Sequence, residues 1–259
     1  MNKIIIFNWK MAPDLLKEAE RLLAYNLRLT INSKNVEIVV CPPFVYLPKF
    51  KIKNLKLKIG AQNVFWADNG AYTGEISPKM LKNLGVEYVI IGHSERRKYL
   101  NETDEMINKK VLAALKSGLK VILCVGESSR KSQIANRKAQ ISYAKQYVKK
   151  QLQKDLKTIS ASRLAINNLI IAYEPVWALS TNKNGQPDTP ADALEMIKFI
   201  KQLLNTKYQM LNTRVLYGGS VDSKNIKNFI KYEEIDGALV GNASLKIEEV
   251  KKIICQTTT

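Results

Sequence analysis

Leu169-Ile170-Ile171-Ala172-Tyr173-Glu174-Pro175-Val176-Trp177-Ala178 sets an apolar run against a lone carboxylate and a proline. A run of about four to eight apolar residues that stops this way reads as a parallel strand buried on both faces. Pro175 has no N–H for the ladder, so the chain leaves the sheet there. Glu174 therefore falls at the carboxyl end of a core strand, where barrel and open α/β enzymes keep their chemistry. Tyr88-Val89-Ile90-Ile91-Gly92 repeats the pattern and delivers His93-Ser94-Glu95-Arg96-Arg97, with the only histidine of the chain. A carboxylate and an imidazole at two strand ends point to proton transfer.

Working outward, the same kind of run recurs at Lys3–Phe7, Val36–Cys41, Leu57–Gln62, Glu87–Gly92, Lys120–Val125, Asn168–Glu174, Thr213–Gly218 and Asp236–Gly241. Amphipathic segments separate these eight runs. Leu15, Leu16, Ala19, Leu22 and Leu23 follow helical spacing, as do Met106, Val111, Ala114 and Leu115, and then Ala193, Ile197, Ile200, Leu203 and Leu204. Strands alternating with helices imply right-handed parallel crossovers. Eight units in 259 residues predict an α/β fold: a single (β/α)8 TIM barrel over residues 1–259, with eight parallel strands and an outer ring of helices. A doubly wound open sheet is the alternative. It usually has fewer strands and a glycine-rich turn after the first, whereas this first strand runs into Asn8-Trp9-Lys10-Met11.

The composition narrows the function. The chain is 46% hydrophobic, enough for a large core, and no apolar run approaches the roughly 18 residues of a membrane span. The apolar start is too short for a signal peptide and lacks a small-residue cleavage site, so a cytoplasmic protein is expected. Three cysteines far apart, Cys41, Cys124 and Cys255, and a single histidine support neither a zinc site nor a disulfide frame. The net charge of +18 suits an anionic substrate. Lys49, Lys51, Lys53, Lys56 and Lys58 form one lysine cluster; Lys145, Lys149, Lys150, Lys154 and Lys157 form another, on a helical period. Neither interleaves aromatic residues in a stacking pattern, so solvated faces are expected and a nucleic-acid partner is not.

The strand ends supply the candidate chemistry. They deliver Asn8 and Lys10, then His93, then Glu174, then Gly218-Gly219-Ser220, then Gly241-Asn242-Ala243-Ser244. In a barrel all of these face one mouth. Small-residue turns that open helices present N–H groups to a phosphate, and the loops after strands seven and eight are where barrels often bind one. A strand-end glutamate suits a general base for a proton beside a carbonyl, and the enediolate formed needs donors of the type of His93, Lys10 and Asn8. His93 stands at the start of a predicted helix, with Ser94 as its expected N-cap. Alone, each residue has a plainer reading: a structural histidine, an ion-paired glutamate, a surface lysine. No Gly-x-Ser-x-Gly elbow, Walker loop or nucleotide fingerprint is present.

These segments resemble the triosephosphate isomerase family. The resemblance rests on Asn8-Trp9-Lys10-Met11, Gly60-Ala61-Gln62-Asn63, Gly70 to Ser77, Ile91 to Arg97, Cys124-Val125-Gly126-Glu127, Tyr173 to Ala178, Tyr217 to Val221 and Val240-Gly241, in family order across the chain. It implies interconversion of dihydroxyacetone phosphate and glyceraldehyde 3-phosphate, in glycolysis and gluconeogenesis, without cofactor or metal. Glu174 would be the base, His93 the neutral electrophile and proton relay, Lys10 the positive charge, and Asn8 the residue orienting Lys10 and substrate. Glu95 would support Lys10 from behind. Backbone N–H groups of Ser180, Ser220, Gly241 and Asn242 would hold the phosphate. Pro175 to about Gly185 would be a lid, latched by Tyr217 when closed. The family is dimeric, and the loop around Gln62 to Ser77 would enter the partner, with Thr73 near the partner's site.

The chain departs from the family pattern in its lid. The family usually reads Ala-Ile-Gly-Thr-Gly-Lys; here Ala178-Leu179-Ser180-Thr181-Asn182-Lys183 replaces both glycines, and the hinge runs about three residues longer, to Asp188. Serine at a position of positive φ costs about 1–2 kcal/mol, while asparagine tolerates that geometry better. Asn242 replaces a glycine of the strand-eight turn, and Ala12 stands where asparagine is usual. Two further readings stay open from sequence: a phosphate-binding barrel whose lid cannot close, and a second role in binding polyanions through the positive field.

Overall fold

A computed structural model describes residues 2–33, 35–50, 57–129, 136–159, 167–179 and 188–258. Eight strands close into a barrel in sequence order: β1 (Lys3–Asn8), β2 (Val36–Cys41), β3 (Lys58–Ala61), β4 (Tyr88–Ile91), β5 (Lys120–Val125), β6 (Leu169–Tyr173), β7 (Arg214–Tyr217) and β8 (Gly237–Val240). Every pairing is parallel, and β1 closes on β8 with Ile4 opposite Gly237 and Phe7 opposite Val240. All eight expected strands form, most of them ending about one residue short of the apolar run. The open-sheet alternative is excluded by closure.

The α-helices among the described residues are α1 (Leu16–Asn32), α2 (Pro78–Asn83), α3 (Ser94–Tyr99), α4 (Asp104–Lys116), α5 (Arg137–Asp155), α6 (Pro190–Tyr208), α7 (Ile226–Ile230) and α8 (Ile247–Thr258). Short 3-10 turns cover Phe44–Lys49, Val176–Ala178 and Asn242–Leu245. Side-chain caps start several helices. Ser77 accepts from Met80 N–H and Thr189 from Asp192 N–H, each followed by proline, while Thr103 accepts from Met106 N–H.

Strand residues alternate between two cores. Ile4, Ile6, Val39, Cys41, Tyr88, Ile90, Ile122, Cys124, Ile170, Ala172, Leu216 and Leu239 fill the barrel interior as a packed plug. Their neighbours, such as Ile5, Phe7, Val89 and Ile171, pack outward against Val111, Val148, Ile197 and Ile253 on the helices. Burial on both faces is why the strands read as continuous apolar runs. One helical expectation shifts. Leu15 precedes α1 and is 61% exposed, and Leu16 is 36% exposed, so the buried stripe begins at Ala19 and Leu22. No described helix is long and apolar enough to cross a membrane.

Of the lysine clusters, Lys51, Lys53 and Lys56 lie outside the described residues. On α5, Lys145 pairs with Glu195 and Lys154 with Asp104. These are lateral ties between neighbouring helices, as expected for solvated faces.

Candidate active site

The carboxyl ends of β1, β4, β6, β7 and β8 deliver Asn8, Lys10, His93, Glu174, Ser220, Gly241 and Asn242 to one cavity of about 350 Å³. Each strand end sets its side chain by a local device. After β1, Lys10 has φ +56, a left-handed geometry that costs a non-glycine residue about 1–3 kcal/mol. Two contacts hold it there: Lys10 N–H donates to Asn8 Oδ1 at 3.0 Å, and Gln62 Nε2 donates to Lys10 O at 2.7 Å. The Lys10 ammonium lies 2.5 Å from Glu95 Oε1.

After β4, Gly92 takes φ +73, a turn that glycine allows without strain. His93 then caps α3: its Nδ1 accepts from Glu95 N–H at 3.3 Å. This corrects the expectation that Ser94 is the cap. His93 is the last residue with extended backbone, φ −51 and ψ 140, and its imidazole reaches the N–H two residues on, whereas Ser94 is already helical. Because Nδ1 accepts, the neutral ring carries its proton on Nε2, which faces Glu174 Oε1 at 3.3 Å. Ser94 contributes through its backbone, donating N–H to Glu174 Oε2 at 3.1 Å.

Glu174 follows β6 and is 2% exposed. Its backbone is wedged between glycines. A Cβ on Gly126 would collide with the Glu174 carbonyl, and one on Gly218 would stand 2.9 Å from Glu174 Cγ. The Glu127 carboxylate braces both flanks of the Glu174-Pro175 step, accepting from Tyr173 Oη at 3.0 Å and from Trp177 Nε1 at 2.6 Å. Burial, with the charges of Glu127 and Asp188, pushes the Tyr173 hydroxyl well up, so it stays a donor. Burial and the neighbouring Glu174 charge likewise push the Cys124 thiol up, which fits an inert core thiol.

The small-residue turns expected to cradle an anion lie on the cavity wall. Ser220 lines the cavity, its Oγ donates to Ala178 O at 3.0 Å, and its N–H has no acceptor among the described residues. Gly241 and Asn242 open the last 3-10 turn on the same wall. Tyr217 is 1% exposed, stacks on Phe229 at 4.0 Å, and its hydroxyl makes no hydrogen bond among the described residues. Ser180, Asn182 and Gly185 lie outside the described residues. Sequence reading missed the roles of Gln62 and Glu127. Gln62 directly follows β3 and Glu127 stands two residues after β5, which is the signal available for them. No three His, Cys, Asp or Glu side chains converge as a metal site among the described residues.

The comparisons agree with this geometry. The sequence model of the family described as Triosephosphate isomerase matches residues 3–257. The triosephosphate isomerase of Caldanaerobacter subterraneus subsp. tengcongensis is 47% identical over 256 residues, 97% of this chain and 98% of the relative. That of Alkaliphilus oremlandii is 44% identical over the same shares, and that of Aquifex aeolicus is 42% identical over 98% of this chain and 99% of the relative. A closed parallel barrel, a carboxylate and an imidazole on one cavity, and a match over nearly the whole length agree: this chain belongs to the triosephosphate isomerase family.

Proposed function

We propose that Glu174, His93, Lys10 and Asn8 interconvert dihydroxyacetone phosphate and D-glyceraldehyde 3-phosphate through an enediolate, in glycolysis and gluconeogenesis. The chain is an isomerase of triose phosphates. One observation carries the assignment of its groups: the Glu174 carboxylate, the His93 Nε2 and the Lys10 ammonium, from three strand ends, line one cavity that continues into the Ser220 and Gly241–Asn242 turns. Ser94 N–H and His93 Nε2 hold the carboxylate. As base, Glu174 exchanges these bonds for the proton on the carbon beside the carbonyl. His93 Nε2–H and Lys10 Nζ then donate to the oxygens on which charge develops. Asn8 fixes Lys10 through its backbone N–H. The N–H groups of Ser220, Gly241, Asn242 and Ser180 hold the phosphate.

A coupled assay of glyceraldehyde 3-phosphate turnover on wild type and Glu174→Asp tests this. Shortening the side chain draws the carboxylate back by about 1 Å, and a displacement of that size costs on the order of 100-fold in kcat. Equal turnover in the two proteins overturns the assignment of the base.

The reading extends to assembly. Residues 68–75 are exposed, and Met11, Val45 and Tyr72, at 94%, 72% and 47% exposure, are apolar side chains left in water. This supports a homodimer in which the loop around Gln62 to Ser77 enters the partner with Thr73 near its site. Sedimentation showing a monomer at micromolar concentration overturns it. The chain is then a cytoplasmic enzyme with no membrane or nucleic-acid partner, organised as one catalytic domain over residues 1–259. Its lid keeps the phosphate-binding N–H at Ser180 but moves differently from the family's. Ser180→Gly with Asn182→Gly changes kcat or KM; no change in either refutes the altered lid.

A further inference from the structure

We propose that Asp155 is a positioning residue for the isomerisation: it holds Arg97, and Arg97 holds the strand end that presents His93. This rests on the role assigned to His93 above. Arg97, on α3, turns its guanidinium back under the site. Its Nε donates to Gly92 O at 2.8 Å and its Nη2 to Cys124 O at 3.2 Å. Gly92 directly precedes His93, and Cys124 lies on β5 opposite Ala172, two residues before Glu174. One side chain thus bolts the end of β4, which carries the imidazole, to β5, the strand paired with the one that carries Glu174. The fit is close: a Cβ on Gly92 would stand 2.9 Å from Nη2.

Two carboxylates aim that guanidinium. Asp104 Oδ1 accepts from Nη1 at 2.7 Å, and Asp155 Oδ2 from Nη2 at 2.6 Å. They differ in kind. The Asp104 side chain is 21% exposed and shares Lys154, whose ammonium lies 3.3 Å away. The Asp155 side chain is 0% exposed, and its Oδ1 has no hydrogen-bond partner among the described residues. A half-satisfied buried carboxylate is a poor way to stabilise a core, since an apolar residue of similar size usually does as well or better. What Asp155 supplies that an apolar residue cannot is charge on the inner Nη2, which would otherwise be left with the Cys124 carbonyl alone.

The groups facing Asp155 define its protonation. Arg97 approaches from α3, Asp104 from α4, Lys154 on α5 acts through Asp104, Tyr208 of α6 donates nearby to Leu152 O, and Cys124 lies on β5 beside Arg97. Burial pushes the Asp155 carboxyl up to about 7; Arg97 pulls it down and the Asp104 carboxylate adds to the rise. Around neutrality the clamp therefore has two settings: above, two charges grip Arg97; below, Asp104 alone does.

The chain has one histidine, so a single imidazole signal in a 15N–1H spectrum reports His93. Wild type and Asp155→Asn are compared from about pH 6 to pH 8.5, by that signal and by kcat and KM. The substrate phosphate, which titrates near pH 6, affects both proteins alike and cancels in the comparison. The expected result is a His93 signal and a kcat that both change around pH 7 in wild type. In the variant the step around pH 7 is missing from both, leaving only changes that wild type shares, with kcat lowered about 5-fold above pH 7 and KM within about twofold, the pattern of a misplaced group. If Asp155→Asn does not fold, Asp155→Leu, which fills the space without charge, takes its place. Coincident profiles for wild type and variant, or a wild-type His93 signal that stays fixed across the range, overturn the proposal. Separately, unchanged kcat in His93→Gln overturns the assignment of His93 itself, so the two failures are distinguishable.

Discussion

Replacing Gln62 by leucine tests how Lys10 is kept in its left-handed geometry. The Gln62 amide donates to Lys10 O at 2.7 Å and to Cys41 O at 2.9 Å. Cys41 O keeps Trp9 N–H at 3.1 Å after the change, so only the Lys10 carbonyl loses its protein partner. That costs about 0.5–1.5 kcal/mol. The freed backbone at φ +56 then relaxes and recovers part of its strain, which offsets the loss. The net change in stability is therefore below about 1 kcal/mol, a shift of at most about 2–4 °C in Tm for a chain of this size. With Lys10 in the role proposed for it, activity bears the larger effect, because the left-handed turn must be rebuilt each time Lys10 meets substrate. With strain of about 1–3 kcal/mol, kcat/KM falls by about 5- to 150-fold. Calorimetry and the coupled isomerase assay on the same preparation measure both. A lowered Tm with kcat/KM within twofold of wild type would falsify the argument, since Lys10 would then hold its turn without Gln62.

Two further outcomes follow from buried groups away from the cavity. At the amino-terminal end of the barrel, burial works to raise the Glu37 carboxyl, but the Tyr88 hydroxyl and Arg214, at 2.7 Å, outweigh it and hold it below the ordinary 4.5. A depressed carboxyl contributes stability that is present above 4.5 and is lost as pH falls through the folded-state value. Glu37→Gln should therefore lower Tm at pH 7, with the gap to wild type closing in acid; a gap that stays constant would contradict the pairing. For the cysteines, burial pushes the Cys41 and Cys124 thiols up, while Cys255 is exposed. Iodoacetamide should add one label to the native protein and three after denaturation, read by mass spectrometry, and native labelling at Cys124 would refute the inert core thiol.

Much of the fold is legible in the chain because each barrel strand is buried on both faces. Ile4, Ile5, Ile6 and Phe7 are all fully buried, two facing the interior and two the helices, so no polar residue interrupts the run. The ends are less legible. Gln62, Glu87 and Gly218 extend or flank apolar runs, but their positions fall beyond the last ladder pairs, which only the register fixes. Leu15 and Leu16 fit a helical period yet stand in water, because periodicity records which residues share a face and not where a helix docks.

The site divides along the same line. The groups proposed to act on substrate stand at strand ends, where a local pattern of apolar run, polar residue and turn marks them: Glu174 before Pro175, His93 after Gly92, Lys10 after Trp9. Groups that position them work by contacts that no local pattern encodes. Gln62 reaches back 52 residues to Lys10 O, Glu127 reaches 46 to Tyr173, and Arg97 reaches 58 to Asp155. In each case the two partners stand on different βα units. The barrel brings them together only when it closes. That dependence predicts which substitutions separate activity from folding. Changes at Gln62 or Asp155 loosen a single tie and leave the two cores untouched, so they should show first in kcat/KM. Changes inside the interior plug should show first in Tm.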